Sequence, residues 1–292
     1  MDIVMRDVKN VITYIDDVLV HSRNLTEHLT HLRVALDRLR EHNLKLNLSK
    51  CTFAASEVAY LGHHLTPNGI QPGKDKAAAV RDANPPTNPK QVRSFMGLAN
   101  YFRQYVPHFA RVAAPLFKLT RKTQDWKGGK LLADALCAFN SIKKRLSEGP
   151  LLAYPNARGM FHLYVDASTG TETHDDIEGG LGAYLMQEDD DKNRRVIGFA
   201  SRRLKDHEKN YSPFLLEAAA TVYGMEYFEN YLIHRQFFLY SDHRPLERLL
   251  SVTHTKTSNV LQEKKDRFHY VFRQIAGTDN VVADFLSRSA GA

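Results

Sequence analysis

The chain has 292 residues, 43% hydrophobic and 25% charged, which suits a globular protein of two or more domains. Two cysteines, Cys51 and Cys137, exclude a disulfide framework and favour a reducing compartment; no apolar run is long enough to cross a membrane, and no signal peptide or internal repeat is visible. The net charge of +7 is uneven: residues 1–158 carry 24 Lys and Arg against 13 Asp and Glu, a net of +11, whereas residues 159–292 carry 16 against 20, a net of −4. A basic half joined to a mildly acidic one suits a polyanion grip followed by metal-binding acids, with incidental surface composition as the plain alternative.

In chain order, Val11 to Val20 reads as two β-rich runs with Asp16 and Asp17 between them, a hairpin with two carboxylates at its tip. Generic hairpins prefer Asn-Gly or Asp-Gly there, so adjacent aspartates in an apolar hairpin are unusual, although a solvated turn would also explain them. Asn24 and Glu27 have the spacing of a capping box, and Leu29, Leu32, Leu36 and Leu39 form one apolar stripe of the helix that follows. Cys51 with His63 and His64 lacks a fourth ligand at finger-like spacing, which argues against zinc.

The run Asn84 to Pro89 is a break. Asn88 then suits an N-cap, Pro89 the first helical position and Gln91 the third, and Val92, Phe95, Met96, Ala99 and Phe102 predict an amphipathic helix ending near Pro107. Tyr101, Phe102 and Tyr105 fit packing better than base stacking. Residues from about 120 to 158 read as a connector with at least one short helix.

The last stretch alternates strands and helices, with strands expected near 161–167, 180–187, 195–200, 236–241 and 267–275. Ser212 and Pro213 open a long helix through about Tyr231. Within these elements lie four acids in apolar surroundings: Asp166 in a strand, Glu217 early in the helix, Asp242 at a strand end and Asp284 within Val281–Arg288. A carboxylate in such a setting is poorly solvated, and a bound cation is the usual compensation. Four together suggest a cluster able to hold two Mg²⁺ ions, or Mn²⁺, for in-line attack on a phosphodiester. Four separately placed acids remain the plain alternative.

The motifs Asp166–Ser168, Gly179–Ala183, Phe199–Leu204, Glu208–Ser212, Leu216–Glu217, Ser241–Leu246 and Asn280–Arg288 occur in an order similar to the ribonuclease H domain of gypsy-type LTR retrotransposon Pol polyproteins. Upstream, Tyr14-Ile15-Asp16-Asp17 resembles the Tyr-x-Asp-Asp motif of reverse transcriptases, and Asn47–Cys51 and Tyr60–His64 resemble the end of a palm subdomain. The resemblance implies a mixed α/β, multi-domain chain. Its parts are the C-terminal part of a reverse-transcriptase palm at 1–84, a thumb-like helical segment at 85–122, a connector at 123–158 and a ribonuclease H-like α/β domain at 159–292. This last domain is expected to fold alone.

The implied activity is metal-dependent endonucleolytic cleavage of RNA in RNA–DNA hybrids. Asp166, Glu217, Asp242 and Asp284 would be the catalytic metal ligands. Asp16 would be a ligand of the polymerase motif and Asp17 its neighbour, while Lys90, Arg93, Arg103 and Arg111 would contact phosphates of the hybrid or a primer–template duplex. Three departures from the family qualify this. Residues 169–178 insert a loop carrying Glu172, Asp175, Asp176 and Glu178, and no His precedes Asp284 to assist the leaving group. Asp2 and Asp7 do not lie in the apolar strand context of the second polymerase aspartate, so the polymerase half is expected to be incomplete and inactive by itself. The expected setting is a larger Pol polyprotein in cytoplasmic retroelement particles, with the nucleus as alternative, and no membrane. A catalytically inactive nucleic-acid-binding remnant is the competing function; the intact acids favour the enzyme.

Overall fold

A computed structural model of the protein describes residues 1–120, 131–148, 151–169, 179–189, 191–242 and 256–275. They belong to two compact units, Met1–Pro67 and Asn68–Ala292.

In the first unit, helix α1 (Asp2–Met5) precedes strands β1 (Val11–Tyr14) and β2 (Asp17–Val20), helix α2 (Leu25–Glu41) and strands β3 (Val58–Tyr60) and β4 (His63–Thr66). The β1–β2 hairpin runs from Val11 opposite Val20 to Tyr14 opposite Asp17, leaving Ile15 and Asp16 as its turn. Tight hairpin turns need positive φ, and Ile15 adopts +55° despite its branched Cβ, a strained choice. The second hairpin meets the same demand with Leu61 and Gly62 at +48° and +73°. Asn24 caps α2 as its sequence predicts, accepting the Glu27 N–H at 2.9 Å. The predicted leucine stripe is divided: Leu39 is buried with Met5, Val8 and Ala35, but Leu29 and Leu36 are exposed. Ala35 and Leu39 define the buried line, and this small core has no place for the other two.

The second unit starts with β5 (Gly69–Pro72) and helices α3 (Lys74–Arg81), α4 (Pro89–Tyr101), α5 (Phe109–Val112), α6 (Ala114–Lys118) and α7 (Ala133–Ser147). Asn88 accepts the Gln91 N–H at 3.0 Å and Pro89 occupies the first turn of α4, as expected. The last turn before Pro107 is a separate 3-10 turn, Arg103–Tyr105. Strands β6 (Phe161–Ser168), β7 (Gly180–Glu188) and β8 (Arg194–Arg203) follow, then α8 (Pro213–Tyr227), α9 (Glu229–Leu232), β9 (Gln236–Ser241), α10 (Lys256–Lys265) and β10 (His269–Gln274). The helix expected to reach Tyr231 breaks at Phe228, whose φ of −100° and ψ of 20° end α8 and whose side chain is buried.

The five strands form one sheet in the order β10-β9-β6-β7-β8; β6–β7 and β7–β8 are antiparallel, β6–β9 and β9–β10 parallel. Strand alternation divides its side chains between two cores. Phe161, Leu163, Val165, Leu181 and Leu185 pack with Leu216, Ala220, Met225 and Phe228 under α8. Gly224 allows this approach: a Cβ there would lie 3.0 Å from the Ala183 Cβ and 3.1 Å from Val165 Cγ1. On the opposite face, Tyr164, Tyr184 and Phe199 pack with Phe95, Phe102, Tyr105, Phe109, Phe139 and Ile142 from residues 95–142. The helices preceding residue 159 therefore supply one whole side of the sheet's core. The residues before 159 also cover edge strand β8: Ala153 N–H, from the extended stretch after α7, donates to Val196 O at 2.7 Å, Ala110 N–H in α5 to Ser201 Oγ at 2.9 Å, and Arg103 to Ser201 O.

Candidate active site

Strand register brings two of the predicted acids together. Parallel pairing of β6 with β9 ends with Tyr164 opposite Tyr240, two residues before Asp166 on one strand and two before Asp242 on the other, and both carboxylates act on the same Glu217. Both lie just beyond the point where the parallel β6–β9 pairing stops, the position at which open α/β sheets commonly bind ligands. Helix α8 lies across the same sheet and contributes Glu217, which is only 8% exposed. Burial first, then the negative charges of Asp166 and Asp242, push the Glu217 carboxyl up to about 8. The Ala167 N–H and the Ser241 hydroxyl donate to it and pull the other way, while Glu217 Oε2 has no hydrogen-bond partner.

Three carboxylates thus share one electrostatic environment. An all-oxygen donor set with an unpartnered buried oxygen fits a hard divalent cation such as Mg²⁺. Among the described residues, however, no three His, Cys, Asp or Glu side chains are gathered closely enough to hold a metal ion. Asp284 lies outside the described residues, as do the inserted acids Glu172, Asp175, Asp176 and Glu178. Behind Asp166 a small cavity is lined by His108, Tyr164, Gly182 and Tyr184. Burial, then the Arg111 and Arg145 charges, pull His108 down to about 4, so its imidazole is neutral at pH 7.

Two motif stretches hold α8 in place. Arg202 grips Glu208 through two hydrogen bonds of 2.5 and 2.7 Å, and Lys205 N–H adds a third of 2.8 Å. Burial alone would raise the Glu208 carboxyl, but these bonds outweigh it and hold it below the usual range. Sequence reasoning grouped these residues into motifs without identifying their pairing. Nor did it single out Ser241, whose signal was a hydroxyl directly before an acid in an apolar strand.

In the first unit Asp16 sits in the β1–β2 turn and Asp17 starts β2, both exposed. Burial, then the charges of Asp17 and Asp2, raise the Tyr60 phenol, so Asp17 and Asp2 act on a common neighbour. Of the predicted phosphate contacts, Lys90, Arg93 and Arg111 are exposed. Arg103 is half-buried, donating to Ser201 O and lying 5.9 Å from the Phe109 ring. No helix among the described residues is long and apolar enough to cross a membrane.

Known proteins resemble the chain along nearly its whole length. A family model for reverse transcriptase (RNA-dependent DNA polymerase) matches residues 1–65, and one for an RNase H-like domain found in reverse transcriptase matches residues 133–239. The retrovirus-related Pol polyprotein from transposon 297 of Drosophila melanogaster is 35% identical over 281 residues, covering 96% of this chain and 25% of that polyprotein. The transposon Tf2-3 polyprotein of Schizosaccharomyces pombe is 28% identical over 284 residues, covering 96% of this chain and 20% of the polyprotein. The chain thus spans about a quarter or less of these relatives' lengths. Among solved structures, the foamy viral protease-reverse transcriptase in complex with RNA/DNA hybrid has a TM-score of 0.78 at 16% identity, covering 94% of this chain and 37% of that one. The same viral enzyme in complex with double-stranded DNA has a TM-score of 0.78 at 17% identity, covering 94% and 47%. These likenesses show the fold. The two family models together match more than half of the residues, and the relatives follow the chain throughout: it belongs to the Pol polyproteins of gypsy-type retrotransposons, as part of their reverse transcriptase and RNase H-like region.

Proposed function

We propose that the chain cleaves the RNA strand of RNA–DNA hybrids in a divalent-metal-dependent reaction. The observation that carries this reading is the Glu217 carboxyl, raised by burial first and then by the charges of Asp166 and Asp242, just beyond the parallel pairing of β6 with β9. Asp166, Glu217 and Asp242 would hold Mg²⁺, with Asp284 as a fourth ligand by resemblance. The bound ions would activate water and stabilise the leaving 3′ oxygen. Lys90, Arg93 and Arg111 would bind backbone phosphates and so position the hybrid without reading its sequence. The foamy viral relative's hybrid complex supports this substrate class. Asp16 and Asp17 would belong to the polymerase site of a larger Pol polyprotein working in cytoplasmic retroelement particles.

The test is cleavage of a labelled RNA–DNA hybrid by the purified chain with and without Mg²⁺, beside duplex DNA and duplex RNA. Cleavage confined to the hybrid's RNA strand supports the reading; binding without cleavage in Mg²⁺ or Mn²⁺ refutes it. That second outcome would favour a nucleic-acid-binding remnant, a role consistent with the three acids not being closed around a metal position.

A further inference from the structure

Beside the apolar packing of β9 on α8, one polar side chain links the Asp242 end of that strand to Glu217. Ser241 is the last residue of β9, fully buried, and immediately precedes Asp242. Its backbone is fixed from the other side: it pairs with Gln274 in β10, and its carbonyl accepts the Ile275 N–H at 3.2 Å. Its hydroxyl donates to the Glu217 carboxylate. A short, buried side chain on a strand bonded to a neighbour has little freedom, so the hydroxyl is a fixed reference for the longer glutamate. It satisfies part of the carboxylate, while Oε2 remains without a partner.

We propose that the Ser241 hydroxyl is a positioning group that sets the Glu217 carboxylate for Mg²⁺ and ties it to the strand bearing Asp242. The inference rests on the ribonuclease H reading above. It assigns Ser241 no contact with substrate or metal. Its role is to hold Glu217 in one rotamer, with the oxygen not facing Ser241 left for the cation. Without the hydroxyl the carboxylate loses this anchor, and metal binding must order it instead.

The experiment is calorimetric titration of the full chain with Mg²⁺ for the wild type, Ser241→Ala, Ser241→Thr and Ser241→Val. Thr and Val have nearly the same shape, so their difference reports the hydroxyl and their common change reports packing. Loss of a ligand-orienting partner weakens metal affinity roughly tenfold or more, the change expected for Ala and Val, with Thr restoring most of it. Unfolding midpoints in EDTA identify variants that fail to fold; if the larger two do so, the Ala titration decides. Wild-type affinity in Ser241→Ala, or equal losses in Thr and Val, would overturn the inference alone. Absence of Mg²⁺ binding by the wild type would instead overturn the ribonuclease H reading, and this inference with it.

Discussion

Replacing Glu217 by Gln should stabilise the metal-free protein at neutral pH while removing cleavage. The carboxyl is raised from its ordinary 4.5 to about 8, burial being the largest cause. Between those values the folded state binds a proton that the unfolded state has released. Stability from this group is therefore full below pH 4.5 and is lost as pH rises through about 8. Each unit of pH in that window costs about 1.4 kcal/mol, so the penalty at pH 7 is on the order of 3 kcal/mol. The Gln carbonyl can still accept the Ala167 and Ser241 bonds, whereas its amide takes the place of the unpartnered Oε2 at a cost of about 1 kcal/mol. A net gain of about 2 kcal/mol at pH 7 follows, shrinking to nothing near pH 5. Urea unfolding in EDTA from pH 5 to 8.5 reads this directly. Mg²⁺ at about a hundred times its dissociation constant should then add about 2.7 kcal/mol to the wild type and little to the variant. A variant no more stable than the wild type at pH 7, with an unchanged pH slope, would refute the reasoning.

Asp166→Asn should retain the fold and lower hybrid cleavage by orders of magnitude, checked by initial rates at saturating Mg²⁺. Glu208→Gln removes the buried charged partner of the part-exposed Arg202 guanidinium and should cost about 2 kcal/mol in urea unfolding at pH 7. Because the folded Glu208 titrates below its usual range, its contribution is present above pH 4.5 and is lost as pH falls through the depressed value, so the loss on mutation should shrink in acid. Combined Lys90→Ala, Arg93→Ala and Arg111→Ala should make the slope of log affinity for hybrid against log salt shallower by about 3, in salt-dependent titrations. Arg103→Ala should instead lower the unfolding midpoint, because that side chain holds β8. A chain limited to 159–292 should lack cooperative unfolding where 68–292 shows it, since exposing Tyr164, Tyr184 and Phe199 forfeits about 2 kcal/mol each.

The elements were legible where one local signal sufficed. Asn24 and Asn88 marked their helices through capping chemistry, and alternation placed β6, β7 and β9 to within a residue. What sequence could not give was the second face of the sheet. His162 and Tyr164 look like the wet side of an alternating strand, yet they are 2% and 8% exposed. Inside, His162 Nδ1 pairs with Tyr240 OH at 3.0 Å and Tyr164 OH accepts from Arg194 at 2.7 Å, while His162 Nε2 has no hydrogen-bond partner and lies 3.5 Å from Glu188 Oε2. Amphipathic rings can serve either environment, so only the helices packed above them decide. The four acids were visible one by one, but that Asp166 and Asp242 both act on Glu217 depends on a parallel pairing that skips β7, β8, α8 and α9. Arg103 resembled any other basic residue on its helix until its partner, Ser201, was known.

Glu217 is tolerated because it cannot move away. Gly224 sets α8 against the sheet, Ser212 caps it by accepting the Leu215 N–H at 3.4 Å, and the Arg202–Glu208 pair fixes the loop leading into it. A carboxylate so confined is relieved by a proton or by a cation, and the two compete. At pH 7 the metal-free site, titrating near 8, holds its proton most of the time, so Mg²⁺ must displace it. Apparent Mg²⁺ affinity should therefore rise nearly tenfold per pH unit up to about 8 and level off above it. In Glu217→Gln that rise should be absent, because the displaced proton is gone. Calorimetry in buffers of different ionisation enthalpy measures the proton released on binding: close to one at pH 7 and few above pH 9. Proton release that does not change with pH would mean that the cation binds without engaging Glu217.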